Sequence, residues 1–219
     1  MVPFICSRYE KRHPACYNQA EYSQTQKSTP MKISKLATLF VVLLFTLNSF
    51  TVLGQKYLTQ SGVIQFYSEA PLENIEAVNN QVMSVIDLES GEMAFSLLMT
   101  AFVFEKALMQ EHFNEKYVES DKFPKASFKG KITEFDAGAL SANPQEVAVS
   151  GILTIHGESK EVNTKGQLTR TSETEIAGEA TFDILLADFK IKIPSAVKDN
   201  INEKIEIRVK MNYEILQRE

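Results

Sequence analysis

Cysteine is almost absent from this chain: its 219 residues hold two, Cys6 and Cys16, both close to the start. Beyond Cys16 no disulfide and no thiolate metal ligand can form, so any domain there is held together by its core. Histidine is scarce too, with only His13, His112 and His156. No H-E-x-x-H pair, G-x-S-x-G elbow or glycine-rich phosphate loop occurs. Their absence removes the usual marks of a metallohydrolase, a serine hydrolase and a nucleotide site. Long apolar runs are also missing. The strongest, residues 36–47, is 12 residues long, whereas a helix crossing a bilayer core needs about 20.

That run has a context. Lys32 and Lys35 precede it, and Asn48, Ser49 and the small-residue ending Val52-Leu53-Gly54 follow it. A short basic region, an apolar stretch and a small-residue exit form a secretory leader, with cleavage expected between Gly54 and Gln55. Residues 1–30 show neither strand nor helix periodicity and stand before a suitable start at Met31. They read as an over-extended start or a disordered extension. The expected domain is therefore 55–219, exported to the periplasm or secreted.

Export changes the charge balance. The first 54 residues hold six of the chain's 23 basic residues and two of its 28 acidic ones, leaving 17 against 26 and a formal net charge of −9. Such a surface repels nucleic acid and anionic headgroups, so no nucleic-acid partner and no stable membrane insertion after cleavage are expected. Both cysteines are lost as well, which excludes lipid anchoring through an N-terminal Cys.

What is present is strict alternation. Ile205, Ile207, Val209, Met211, Tyr213 and Ile215 alternate with Glu206, Arg208, Lys210, Asn212 and Glu214. Apolar residues at every second position suit a strand with one face on a core and the other in water. The same period runs through Ile176–Leu186, Ala126–Ile132 and Val147–Ile155, and more weakly through Val162–Leu168. Val63–Tyr67, Gln81–Leu88 and Met93–Thr100 read as three further strands, with a tight turn at Ser90-Gly91. About eight strands at this spacing predict an all-β sandwich or closed barrel. Residues 104–117 carry Leu108, Met109, His112 and Phe113 at helical spacing, predicting a short amphipathic helix over one end of the sheet. Asp188–Asn200 reads as a loop or helical turn.

Four glycines, Gly130, Gly151, Gly166 and Gly178, fall on the apolar faces. Glycine inside a strand marks a bend, a bulge or a need for space, so it fits either ordinary barrel curvature or a hollow interior. The inward faces nominate Phe128, Ile132, Leu153, Ile155, Phe182, Ile184, Val209 and Met211 as lumen residues. Leu108, Met109 and Phe113 on the helix are expected to guard the entrance. Such a lumen can be packed solid or hold one ligand. No metal site, no cofactor and no catalytic residue is implied. His112 is expected as a half-buried helix residue bonded to a carboxylate, and His156 as a turn-closing residue.

The segment Gly151-Ile152-Leu153-Thr154-Ile155-His156-Gly157-Glu158-Ser159-Lys160-Glu161-Val162 resembles the G-x-L-T-I-H-G-x-x-K-x-V segment of the YceI-like family. His112-Phe113-Asn114, Glu119 to Ala126, Phe128-Lys129-Gly130, Ala187-Asp188-Phe189 and Val197-Lys198-Asp199 resemble its other segments, in the same order. The resemblance spans Ser61 to Ile215. It implies an eight-stranded antiparallel lipocalin-like β-barrel with a long apolar cavity, in a family whose members are generally exported and in part bind polyisoprenoid or related lipids. Two departures stand out: Lys190 occupies a position where many members have glycine, and Gly62–Ser68 lacks histidines common there.

The function expected is a non-catalytic binding protein for a long apolar ligand, such as an isoprenoid, quinone or fatty-acyl lipid. The alternative is an envelope-stress or protein-interaction barrel with a filled core and no lipid ligand. Neither reading sets an oligomeric state, and a homodimer is compatible with both. Mass spectrometry of the N-terminal peptide of the exported protein is expected to begin at Gln55; a peptide retaining residues before Met31 would overturn the leader assignment.

Overall fold

The computed structural model describes residues 55–216. The expected leader at 31–54 and the 30 residues before it lie outside the described residues. Strands β1 (Lys56–Glu69), β2 (Asn74–Asp87) and β3 (Glu92–Leu98) come first. The two-residue β4 (Val103–Phe104) then leads into helix α1 (Ala107–His112), followed by β5 (Lys125–Thr133), β6 (Gln145–Ile155), β7 (Glu158–Arg170), β8 (Glu175–Leu185) and β9 (Lys204–Ile215). The eight longer strands form an antiparallel meander, and β1 pairs with both β2 and β9, so the sheet closes into a barrel. β4 resumes the edge of β2 that β3 leaves, pairing Phe104 with Ala77. Closure and core both come from within 55–216.

In β5 to β9 the inward faces are those that alternation predicts. The first two strands are longer than expected because their period breaks. In β1 the inward phase passes from Tyr57 and Thr59 to Gly62, Ile64, Phe66 and Ser68; in β2 it passes from Ala77 and Asn79 to Val82, Ser84 and Ile86. The pairing register shifts on either side of Gly62. An extra residue in one strand of a pair flips every later side chain to the other face. Asn79, fully buried at the break, donates from Nδ2 to the Leu98 carbonyl and accepts from the Gln81 N–H, both at 2.9 Å. A buried amide so satisfied fixes the bulge without the cost of an unpaired polar group.

The helix expected at 104–117 is shorter: α1 covers Ala107–His112, with a single π-helical turn at Phe113–Tyr117. Phe104 instead belongs to β4, where it bonds into the edge of β2. No side chain caps the helix start at Lys106, so α1 depends on what it packs against rather than on its own ends. Asp188–Asn200 contributes the last residues of one 3-10 turn, Leu186–Phe189, and all of another, Ser195–Val197.

The β6–β7 hairpin turns on His156 and Gly157, with φ of 52° and 75°. Two positive φ values make the tight turn whose twist matches the flanking strands. Gly130 and Gly151 face each other across β5 and β6, and the Phe128 ring lies over the pair. A Cβ on Gly151 would come within 2.5 Å of both that ring and the Lys129 carbonyl oxygen. Gly151→Ala is expected to lower unfolding free energy by about 1–3 kcal/mol through overpacking, measured by denaturant titration; an unchanged midpoint would show that the ring has free room.

Candidate ligand-binding cavity

The barrel is closed at one end and hollow above it. Tyr57, Ile86, Ile176 and Tyr213 are buried at the end where β1 begins and β9 finishes. Tyr213 Oη and Ser84 Oγ share a hydrogen bond of 2.9 Å. Burial pushes the Tyr213 hydroxyl well above its ordinary pKa, so that hydroxyl stays neutral, while the Arg170 guanidinium donates to the Tyr57 hydroxyl at 3.4 Å. Above it lies a cavity of about 430 Å³, within the range of small-molecule sites.

Its wall is almost wholly apolar. Phe128, Val149, Leu153, Ile155, Phe182 and Val209 all point inward, yet each is only half-buried. The area they leave uncovered faces the hollow. Of the residues nominated from sequence, Phe128, Ile132, Leu153, Ile155, Phe182, Ile184, Val209 and Met211 line the cavity, as do Met109 and Phe113. Leu108 does not: it is 61% exposed. Successive helix residues turn by about 100°, so when Met109 and Phe113 face the barrel, Leu108 lies at the edge of that face and leans into solvent.

An aromatic cluster at the mouth escaped the sequence reading. The Phe113 ring packs against Phe66, Phe102 and Phe104 with centroids 5.5, 5.7 and 5.0 Å away. Phe66 was hidden by the broken period of β1, and Phe104 by a strand of two residues. The i, i+2 spacing of Phe102 and Phe104 was the one available signal. Such packing adds about 0.5–1.5 kcal/mol per pair beyond area burial, and here it holds α1 on the barrel. Polar groups on the lining near this end include Glu73, His112 and Asn200. His112 is half-buried on the cavity wall, and among the described residues no carboxylate bonds to it, contrary to expectation; its place on the inward helix face turns it away from Glu111 and Glu115, which are exposed.

His156 ties together three connections at the same end. Its Nε2 lies 3.0 Å from Glu119 Oε2, its Nδ1 lies 3.0 Å from the Phe189 carbonyl oxygen, and Phe123 packs edge-on against its ring. Both ring nitrogens face acceptors, so a doubly protonated ring satisfies both and a neutral ring only one. Glu119 also pairs with Lys122. Lys190, next to Phe189, adopts φ 54°. That left-handed conformation is one that glycine adopts without steric cost.

A family model described as the YceI-like domain matches residues 50–213. A polyisoprenoid-binding domain from Saccharophagus degradans, described as implicated in plant cell wall breakdown, is similar in structure at 15% identity and a TM-score of 0.66, covering 75% of this chain and 100% of its own. BcnA from Burkholderia cenocepacia is similar at 14% identity and a TM-score of 0.58, covering 69% and 95%. At this identity the likeness concerns the fold. No curated protein matches the chain.

The Lys122 ammonium and then His156 hold the Glu119 carboxyl below its ordinary pKa of 4.5. A depressed carboxyl contributes stability that is present above the unfolded value and lost as pH falls through the folded one. Acidification below about pH 4.5 is therefore expected to release His156 from Glu119, seen as a change in the His156 ring NMR shifts. In Glu119→Gln that acid-range change is expected to vanish; its persistence would mean that Glu119 is not what His156 responds to.

Proposed function

The chain belongs to the YceI-like domain family, and from that membership we propose that it is an exported, non-catalytic carrier holding one long apolar ligand in its barrel. The ligand class is an isoprenoid, quinone or fatty-acyl lipid. The observation that carries this reading is the hollow itself: about 430 Å³ bounded by inward apolar side chains that no protein group covers. The S. degradans domain, described as polyisoprenoid-binding, supports the same ligand class. The basic, apolar and small-residue order of residues 31–54 in the sequence supports export.

Magnitudes favour a long chain over a short one. At roughly 30 Å³ per water-sized group, the cavity takes about 14 chain atoms. Burying that many methylenes at about 0.8 kcal/mol each yields on the order of 11 kcal/mol gross. Association costs at least about 4 kcal/mol, which would consume most of the gain from a chain half as long. A longer ligand has its remaining length, or its polar head, at the mouth beside Glu73, His112 and Asn200. No pair of side chains there has the geometry of a nucleophile and its base: Glu73 is engaged with Lys106 at 2.5 Å, and no cysteine is present after Cys16.

Native mass spectrometry of the Gln55–Glu219 protein produced by secretion is expected to reveal one long-chain adduct per barrel. Ala180→Phe, which places a ring in the cavity, is expected to retain the β-sheet circular dichroism and lose that adduct. A clean apo mass, unchanged after incubation with an isoprenoid, a quinone and a fatty acid, would sink the carrier reading and favour an interaction role.

A further inference from the structure

Exposed apolar side chains are unevenly placed on this barrel. Leu72 in the β1–β2 connection is 71% exposed, and Val103 in β4 and Leu108 in α1 are each 61% exposed. All three belong to the mouth end. They are neighbours as well: Glu73, adjacent to Leu72, is bound by Lys106, which lies three residues after Val103 and two before Leu108. On the inner side of the same segment, Met109, Phe113 and Phe104 line the cavity. The exposed apolar side chains of the mouth are thus chain neighbours of side chains in the apolar wall inside, which is not so for an isolated exposed leucine.

Charge is unevenly placed too. The connections and strand ends of the mouth (69–74, 98–125, 155–160 and 185–204) hold nine lysines against eleven carboxylates. Those of the closed end (55–57, 86–92, 131–147, 167–177 and 213–216) hold three basic residues against nine carboxylates. The net negative charge expected to repel membranes is thus concentrated away from the mouth, at the end where it would orient the barrel rather than exclude it. Lysines around an apolar tip can keep their ammonium groups at headgroup level while the leucines enter the acyl boundary.

We propose that the mouth end docks transiently on a phospholipid bilayer, with Leu72, Val103 and Leu108 entering the headgroup–acyl boundary and α1 serving as the portal through which a lipid tail passes into the barrel. The proposal rests on the carrier reading for its purpose, but the docking itself can be read without any ligand. A near-neutral mouth on a net acidic protein fits a bilayer dominated by zwitterionic lipids. α1 is suited to yield: it has no side-chain cap, continues as a π turn, and is tied outward through the ion pair between Lys106 and Glu73.

The chain contains no tryptophan, so a single introduced indole reports its own surroundings. Leu108→Trp and Leu72→Trp, in the Gln55–Glu219 protein, are expected to shift their emission to the blue when vesicles of phosphatidylcholine and phosphatidylethanolamine are added. Met83→Trp, on the barrel side at a position 51% exposed, is expected not to shift. The triple variant Leu72→Asp, Val103→Asp, Leu108→Asp is expected to lose at least about tenfold in vesicle cosedimentation while keeping its circular dichroism and its bound adduct. No shift at either mouth position, or an equal shift at Met83→Trp, would overturn the docking. So would a blue shift that grows with protein concentration without vesicles, since the face would then belong to a second copy of the chain. Docking without an adduct would leave this surface standing while removing the carrier reading; an adduct without docking would do the reverse.

Discussion

The constraint on which the rest depends is the pairing of β1 with two neighbours at once. Its first residues bond to the end of β2 and the end of β9, and that closure removes every free edge from the circuit of eight strands. A closed sheet of this size has an inside whose width is set by strand number and tilt, not by the volume of the side chains that happen to fill it. The floor is filled by Tyr57, Ile86, Ile176 and Tyr213. Higher up, the inward residues are too small in total to meet across the axis. The hollow follows from the geometry of closure, and its apolar wall follows from alternation.

Closure also explains why irregularity is confined to particular places. The shift at Gly62 in β1 and the change of phase in β2 lie opposite one another, so both strands bend together and both keep an apolar inner face. The paired glycines Gly130 and Gly151 remove two Cβ atoms where the Phe128 ring crosses them. His156 is held in a left-handed conformation at the β6–β7 turn by the twist a two-residue hairpin requires, and its ring then reaches the segments after α1 and after β8. Each departure from the regular pattern has a neighbour across the sheet or across the mouth that makes it favourable.

The two ends of the barrel differ in composition. One is packed with buried side chains and strongly acidic outside. The other carries a short, weakly capped helix, a cluster of phenylalanines and most of the described lysines. A molecule so divided has a direction, and the average charge of the chain conceals it.

Alternation with period two is a local property, and it was enough by itself to determine the inner faces of β5 to β9, from Ala126 to Tyr213. The same residues, read as apolar and inward, identified eight of the side chains that line the cavity, and helical spacing added Met109 and Phe113. Local pattern failed where a register shift reversed the phase, in β1 and β2, and where an element was too short to show a period, in β4. It did not distinguish Leu108, which is exposed at the mouth, from Met109 and Phe113, which line the cavity, because helical spacing places a residue on a face without saying how far the barrel extends beneath it. Whether the interior was filled or hollow was not a local matter at all. It is decided by distances across the axis between strands far apart in the chain, and only closure of the sheet sets those distances.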